Sequence, residues 1–183
     1  MNEILRDAIH HQRVELARML QEPLGKLAAQ CAEVWDSREK LDSVLSDGFR
    51  SVPYCLFLYT MNPDGIQTSD NVSVGGLLPE HFGRDRSERP YMREVVPPWG
   101  FLLSDAYLSR RAHRPSVTAV QVVRRDDDIL GFIGADFDLR DLPATTEIIE
   151  EPIDWRQIKG DPSIRGTVFQ QHRVESVMDR NMD

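Results

Sequence analysis

The apolar residues of the first 49 positions impose the strongest constraint on the fold, because most of them recur at steps of three or four residues. This is the period of an amphipathic helix, so residues 4–49 are predicted to form a long helical arm. Pro23 lacks an amide hydrogen and crowds the preceding turn, and we therefore expect a kink or a break near Gln21 and Glu22. Gly48 is the expected end of the helical region.

Strand-like patterning follows the arm. The letters NPDG at 62–65 mark a strong turn between two predicted strands, and the three aspartates at 126–128 mark another. Residues 75–99 are rich in Gly, Pro and charge, which indicates loops with a short helix at about 88–95. This order predicts the α+β class with a five-stranded antiparallel sheet. The predicted strands cover residues 54–60, 66–69, 106–110, 116–125 and 129–139.

The length of 183 residues favours a single domain. Within it we assign residues 1–49 to the N-terminal helical arm and residues 50–143 to the core. Residues 144–183 form a C-terminal extension, and their last part, 167–183, is predicted to form a helical tail.

The charge of the chain limits the partners that it can have. Asp and Glu number 30 against 22 Lys and Arg, for a formal charge of -8, and such a field repels a phosphate backbone or an anionic membrane. We therefore expect neither nucleic acid nor a membrane as a partner. A small anion remains possible, because one local arginine can outweigh a distant surface field that salt screens.

The N-terminal sequence has no apolar segment like that of a signal peptide, and no stretch of the chain approaches the roughly 20 apolar residues that cross a bilayer. The chain as written is therefore expected to be cytoplasmic. Its two cysteines, Cys31 and Cys55, each lie in an apolar pattern, which favours free buried thiols over a disulfide.

Motifs of enzymes and metal sites are not found in the sequence. It contains no phosphate-binding loop, no nucleophile elbow, no HExxH and no CxxC, so no catalytic residue, metal or cofactor is predicted. The aspartates at 126–128 lack the glycine and the closing glutamate of a calcium loop, and are interpreted as a polar hairpin turn.

Three segments resemble Cache sensor domains, the PAS-like sensors of bacterial kinases, chemoreceptors and cyclic-dinucleotide enzymes. These segments are GRDRSERPYM at 83–92, SDAYLS at 104–109 and GFIGADFDLRDL at 131–142. The resemblance extends over about residues 44–143 in order and spacing. It implies a PAS-like antiparallel sheet behind a long N-terminal helix, and a small-molecule site on that sheet.

The resemblance, together with the chemistry of the residues, implies which side chains contact the ligand. Arg89 lies at the start of the predicted helix, where its fork of donors and free backbone amides can hold a carboxylate, although a surface ion pair with Asp85 or Glu88 is the alternative. Asp136 alternates onto one strand face with an adjacent glycine that leaves space beside it, and is expected to meet a ligand amine or an internal arginine. The complete predicted ligand-binding set is Arg89, Tyr91, Trp99, Asp105, Tyr107, Ser109 and Asp136.

Two departures from the family limit this interpretation. Cache sensors that hold an amino-acid ammonium generally have an acid where this chain has Ser109, so a carboxylate or a neutral amide-like ligand becomes comparably probable. The family usually lies between two transmembrane helices with an output domain beyond them, and this chain has neither.

The leading hypothesis is therefore a ligand-binding sensor for a small organic molecule, a carboxylate or an amino-acid or amine-like compound, that signals to a separate partner protein. The apolar spacing of residues 4–34 suits a homodimer through the N-terminal helices, and almost equally suits packing on the protein's own sheet. One alternative is a non-catalytic interaction adaptor whose pocket is closed by an Arg89–Asp136 pair. A small hydrolase or lyase built on Arg89, Tyr91 and Asp136 is the least favoured alternative.

Overall fold

The computed structural model describes residues 3–94, 96, 100–109 and 113–142 of the chain. Among these residues, two α-helices precede the sheet, and three single turns of 3-10 helix lie in the connections. The helices are α1 (Glu3–Glu33) and α2 (Arg38–Gly48), and the 3-10 turns are Phe49–Ser51, Pro79–His81 and Pro90–Met92. The strands are β1 (Phe57–Met61), β2 (Asn71–Ser73), β3 (Gly76–Leu78), β4 (Phe101–Leu103), β5 (Tyr107–Leu108), β6 (Pro115–Arg125) and β7 (Asp128–Asp138).

The predicted helical arm is present, but its break lies elsewhere than expected. Of the kink or break expected near Gln21 and Glu22, the break is wrong, because α1 continues through Pro23. Leu20 and Leu24 on either side of the proline are fully buried, so packing holds this part of the helix despite the missing hydrogen bond. The chain instead turns after α1, and Ser37 begins α2 by accepting a hydrogen bond from a backbone amide of its first turn.

The second helix ends at Gly48, as predicted. None of the described helices has a stretch that is both long enough and apolar enough to cross a bilayer. The short helix expected at about 88–95 is a single 3-10 turn over Pro90–Met92, and Val95 lies outside the described residues. The predicted tail helix at 167–183 also lies outside them.

The antiparallel sheet and the α+β class are confirmed, although within the described ranges the sheet has seven strands rather than five. Its order is β3-β2-β1-β7-β6-β4, with β5 also pairing with β6. Residues 66–69 were expected to form a strand, but they contribute only isolated bridges, and β2 takes their place beside β1. The extra strands β2, β3 and β4 have three residues each, too few to show a period in the sequence.

Alternation along the strands divides the core into two layers. On one face of the sheet, buried side chains such as Leu58, Ile133 and Phe137 pack against α1 and α2. The opposite face carries a smaller cluster around Tyr59 and Tyr91. The apolar face of α1 over residues 16–32 is therefore buried against the chain's own sheet.

The predicted turn of three aspartates is confirmed as the hairpin between β6 and β7. It is tight enough that Asp126 adopts a positive φ of 56°. The paired strands place Thr118 of β6 opposite Asp136 of β7, while Phe57 of β1 lies opposite Asp136 on the other side. Asp136 thus occupies the middle of the sheet, with a polar neighbour on β6.

Candidate functional site

A cavity of about 310 Å³ opens on the sheet face that carries the smaller cluster. Its walls combine one carboxylate, two phenols and several cationic side chains with a few apolar groups. Side chains of β1, β2, β5 and β7 meet there with the loop of residues 81–91. The described lining residues are Leu56, Phe57, Asn71, His81, Arg84, Arg86, Arg89, Tyr91, Tyr107, Ser109 and Asp136.

A chain of hydroxyl groups converges on Asp136. Its Oδ1 accepts hydrogen bonds from the Tyr59 hydroxyl (3.0 Å) and from Thr118 Oγ1 (2.7 Å). Because each hydroxyl has a single proton to donate, Tyr91 must donate to Tyr59 (3.0 Å), and Tyr107 must donate to Thr118 (2.6 Å). Four hydroxyls are therefore oriented by one carboxylate oxygen.

The second oxygen of Asp136, Oδ2, has no partner among the residues that the structure describes. Burial, reinforced by the negative charge of Asp136, raises the pKa of Tyr59, Tyr91 and Tyr107 above the ordinary value for a phenol. The three phenols are thus neutral donors throughout the physiological pH range. The arrangement holds the carboxylate on one side and leaves its other oxygen available to a bound molecule.

Arg89 projects a cationic group into the cavity. It immediately precedes the 3-10 turn and is partly buried. The surface ion pairs considered for it are not formed, because Asp85 accepts from Ser87 and Glu88 pairs with Arg93. Within the described ranges the Arg89 guanidinium has no hydrogen-bond or ion-pair partner, so its planar fork of donors is available.

Arg86 lines the cavity but is not among the ligand-binding residues predicted from the sequence. Only 4 % of it is exposed, and its guanidinium lies 3.8 Å from the centroid of the Tyr59 ring. Nε donates to Gln67 Oε1 at 2.8 Å, and one terminal nitrogen donates to Asn71 Oδ1 at 3.2 Å. Its place in the same motif as Arg89 was visible in the sequence, but its burial depends on partners from a distant segment.

Five of the seven predicted ligand-binding residues line the cavity, namely Arg89, Tyr91, Tyr107, Ser109 and Asp136. Asp105 lies elsewhere: its side chain is 91 % exposed and forms an ion pair of 3.3 Å with Arg13 of α1. The adjacent Ser104 is the residue of that bend that turns inward. Trp99 lies outside the described residues.

Several lining residues were not predicted as ligand contacts. Asn71 and His81 come from segments interpreted as loops, and Arg84 and Arg86 were noted only as letters of the motif. In the described part of the chain, no group of three or more His, Cys, Asp or Glu side chains has the arrangement of a metal site.

Comparison with known proteins gives structural matches only. No protein-family profile and no curated protein matches the sequence. The ligand-binding domain of the Campylobacter jejuni chemoreceptor Tlp3, in complex with 4-methylisoleucine, is 15 % identical and has a TM-score of 0.56 over 74 % of this chain and 55 % of that one. The ligand-binding domain of the Pseudomonas aeruginosa amino acid chemoreceptor PctB, in complex with L-Gln, is 18 % identical and has a TM-score of 0.52 over 76 % and 56 %.

An extracellular ligand binding receptor from Desulfohalobium retbaense is a third match, with 15 % identity and a TM-score of 0.53. That match covers 74 % of this chain but 24 % of the receptor, so this chain spans between a quarter and somewhat over half of these three proteins. At such identities the likeness concerns the fold. The fold of this chain is that of the ligand-binding domains of chemoreceptors, the Cache type that its motifs resemble.

Proposed function

We propose that this domain binds a small organic molecule in the cavity of about 310 Å³ and acts as a sensor for it. The observation that carries the proposal is that Arg89 and Asp136 both line this cavity without forming an ion pair with each other. Each presents hydrogen-bonding capacity that no described residue uses. Buried or partly buried charges are costly when unpaired, and a ligand with complementary groups removes that cost.

The two groups suit the two ends of an organic acid. The Arg89 fork matches a carboxylate, and Asp136 Oδ2 can accept from an ammonium or a hydroxyl group. The cavity volume lies at the lower end of the range of about 300–1,000 Å³ for small-molecule sites, which favours a ligand of metabolite size. The Tlp3 and PctB structures contain amino acids or close derivatives, which supports an amino-acid-like ligand without identifying one.

Signalling to a separate protein forms the second part of the proposal. Asn71 lines the cavity, and the preceding residue, Asp70, is bonded to α2: its amide donates to Asp42 Oδ1 at 2.7 Å, and its carboxylate accepts from Arg38 at 2.6 Å. A ligand that shifts the cavity wall therefore acts directly on α2. Binding changes a partner's state only if the ligand prefers one of two arrangements of these elements.

A homodimer and a cytoplasmic location remain predictions. Because the apolar face of α1 over residues 16–32 is buried on the protein's own sheet, a dimer through the N-terminal helices has to use the first turns of α1 or its outer face. Sedimentation of the full chain at micromolar concentration tests this, and a strictly monomeric protein would contradict it.

The interaction-adaptor alternative predicted a pocket closed by an Arg89–Asp136 pair, which the structure does not contain. The test of binding is calorimetry and thermal unfolding with carboxylates, amino acids, amines and purines. A ligand at about one hundred times its Kd adds about 2.7 kcal/mol, which raises Tm by several degrees in a chain of this size.

Two variants locate the site. Arg89→Ala is expected to weaken binding by roughly 10- to 100-fold, since hydrogen bonds to charged groups contribute about 1.5–3 kcal/mol. Arg93→Ala is the matched control, because Arg93 is 70 % exposed and pairs with Glu88 at the surface. If no compound binds, or if both variants bind as the wild type does, the proposed site is wrong and the adaptor hypothesis takes precedence.

A further inference from the structure

The guanidinium of Arg86 carries a charge that is buried without an ion-pair partner in the described part of the chain. It is 96 % buried, and an arginine cannot shed its proton to avoid the cost of burial. Buried arginines are ordinarily paired with a carboxylate for this reason. Arg86 has no such pair: none of the ion pairs among the described residues includes it.

The groups that hold Arg86 are all neutral. Gln67 and Asn71 accept two of its N–H bonds, and the Tyr59 ring lies against the guanidinium plane. A third neutral contact links the two amides, since Gln67 Nε2 donates to Asn71 Oδ1 at 2.8 Å. Tyr91 forms a further side-chain hydrogen bond with Arg86, and these neutral contacts orient the guanidinium without forming an ion pair.

The cavity as a whole has an excess of positive charge. Arg84, Arg86 and Arg89 all line it, and Asp136 is the one carboxylate among its described lining residues. The complete chain has a formal charge of -8, so this concentration of arginine opposes the overall composition. The charge of Asp136 also acts on Arg86, but a neutral zwitterion whose ammonium binds Asp136 would leave the arginines of the cavity in excess.

We propose that the ligand carries two acidic groups, one bound by Arg89 and the second by Arg86, and that it belongs to the class of small dicarboxylates. This inference rests on the proposed function of the same cavity. Planar guanidinium forks match planar carboxylates, and the fixed orientation of Arg86 lowers the entropy lost on binding. Asp136 then receives a hydroxyl or an amino group of the ligand, if there is one.

The test compares matched pairs of compounds on the full-length wild type by calorimetry at low ionic strength. The pairs are succinate with butyrate, glutarate with pentanoate, and glutamate with glutamine, with inorganic phosphate as a separate arm. At least one dicarboxylate is expected to bind about 10- to 100-fold more tightly than its partner, because one further charged hydrogen-bonding contact is made. Its affinity is expected to fall as salt is added.

Equal or tighter binding of the monoacid or amide partner, or of phosphate, would overturn the inference. If the binding of that compound is lost in Arg89→Ala, the proposed function stands and only the inference of a dicarboxylate is overturned. If no compound of the panel binds, both are overturned.

A pair of variants assigns the preference to Arg86. Arg86→Gln is expected to weaken binding of the dicarboxylate far more than binding of the monoacid and so to abolish the difference within each pair, and Arg86→Lys is expected to retain part of the difference. Arg93→Gln is the surface control. A purely structural Arg86 would weaken both members of a pair equally, which contradicts the inference. If circular dichroism shows that Arg86→Gln does not fold, the comparison on the wild type and on Arg86→Lys decides.

Discussion

Gly134 lies in β7 directly opposite Tyr59 of β1, and its missing side chain makes room for the tyrosine ring. A Cβ atom added at Gly134 would lie 2.5 Å and 2.6 Å from two ring carbons and 2.9 Å from the hydroxyl oxygen. Ordinary contacts are 3.4–4 Å, so the ring has to move by about 1 Å. Because Tyr59 is fully buried, no open space receives it.

The substitution Gly134→Ala is therefore expected to destabilise the fold and damage the site together. Overpacking of a core costs about 1–3 kcal/mol, and moving the ring also weakens the 3.0 Å hydrogen bond to Asp136. Less chain entropy is lost on folding from alanine than from glycine, which offsets about 0.5–1 kcal/mol. A net loss of about 3 kcal/mol lowers Tm by about 6–12 °C in a chain of this length.

Urea unfolding with a circular dichroism signal measures the loss, and calorimetry with a bound carboxylate measures the site. Gly25→Ala is the matched control: it lies inside α1, nothing lies within 4 Å of its added Cβ, and it is expected to stabilise the protein by about 0.5–1 kcal/mol. The double variant Gly134→Ala, Tyr59→Leu no longer has the ring that clashes. Its loss in free energy of unfolding is expected to be at least about 1 kcal/mol smaller than the sum of the losses of the two single variants. Gly134→Ala with wild-type stability and binding would refute the packing argument.

Three further outcomes are expected. Pro23→Ala restores an amide that can donate to the Met19 carbonyl within α1, and it is therefore expected to raise the free energy of unfolding by about 2 kcal/mol. An unchanged or lower Tm would contradict the continuous helix. Hydrogen bonds from Arg140 hold the pKa of Asp138 well below its usual range. The free energy of unfolding that Arg140→Ala loses relative to the wild type at pH 7 should therefore shrink as pH falls below about 4. A difference between the two proteins that stays constant down to pH 2 would exclude this linkage. Burial raises the pKa of the Cys31 thiol to about 12, so a thiol reagent at pH 8 should modify Cys31 only after unfolding. Rapid modification of Cys31 in the native protein would contradict its burial.

The parts of the fold that were predicted from sequence are those whose signal is local. α2 ends at a glycine, and the hairpin between β6 and β7 turns at consecutive aspartates, so each boundary has its own residue type. The parts that were missed depend on distant partners. Pro23 predicts a break in isolation, but the leucines around it are buried by strands that lie some 80 to 100 positions further along the chain.

The same distinction applies to the two arginines of the site. Arg86 and Arg89 lie three positions apart in one motif, and the sequence offers no reason to rank the first above the second as a buried group. The difference arises from Gln67 and Asn71, which approach from the first hairpin and fix Arg86 while Arg89 remains available. Local pattern therefore identified the segment that lines the cavity, and tertiary contact determines how each arginine in it is held.

Gly134 shows where reasoning from residue types ends. A glycine beside an aspartate on a buried strand face predicts space next to the carboxylate, and that space exists. The structure fills it with the protein's own Tyr59 ring rather than with a ligand, and the ring carries the hydroxyl that donates to Asp136. One oxygen of the acid is thereby bonded by internal donors, while the other is left without a partner among the described residues. A ligand group that contacts Asp136 must therefore approach Oδ2 from the cavity, which Arg86 and Arg89 also line.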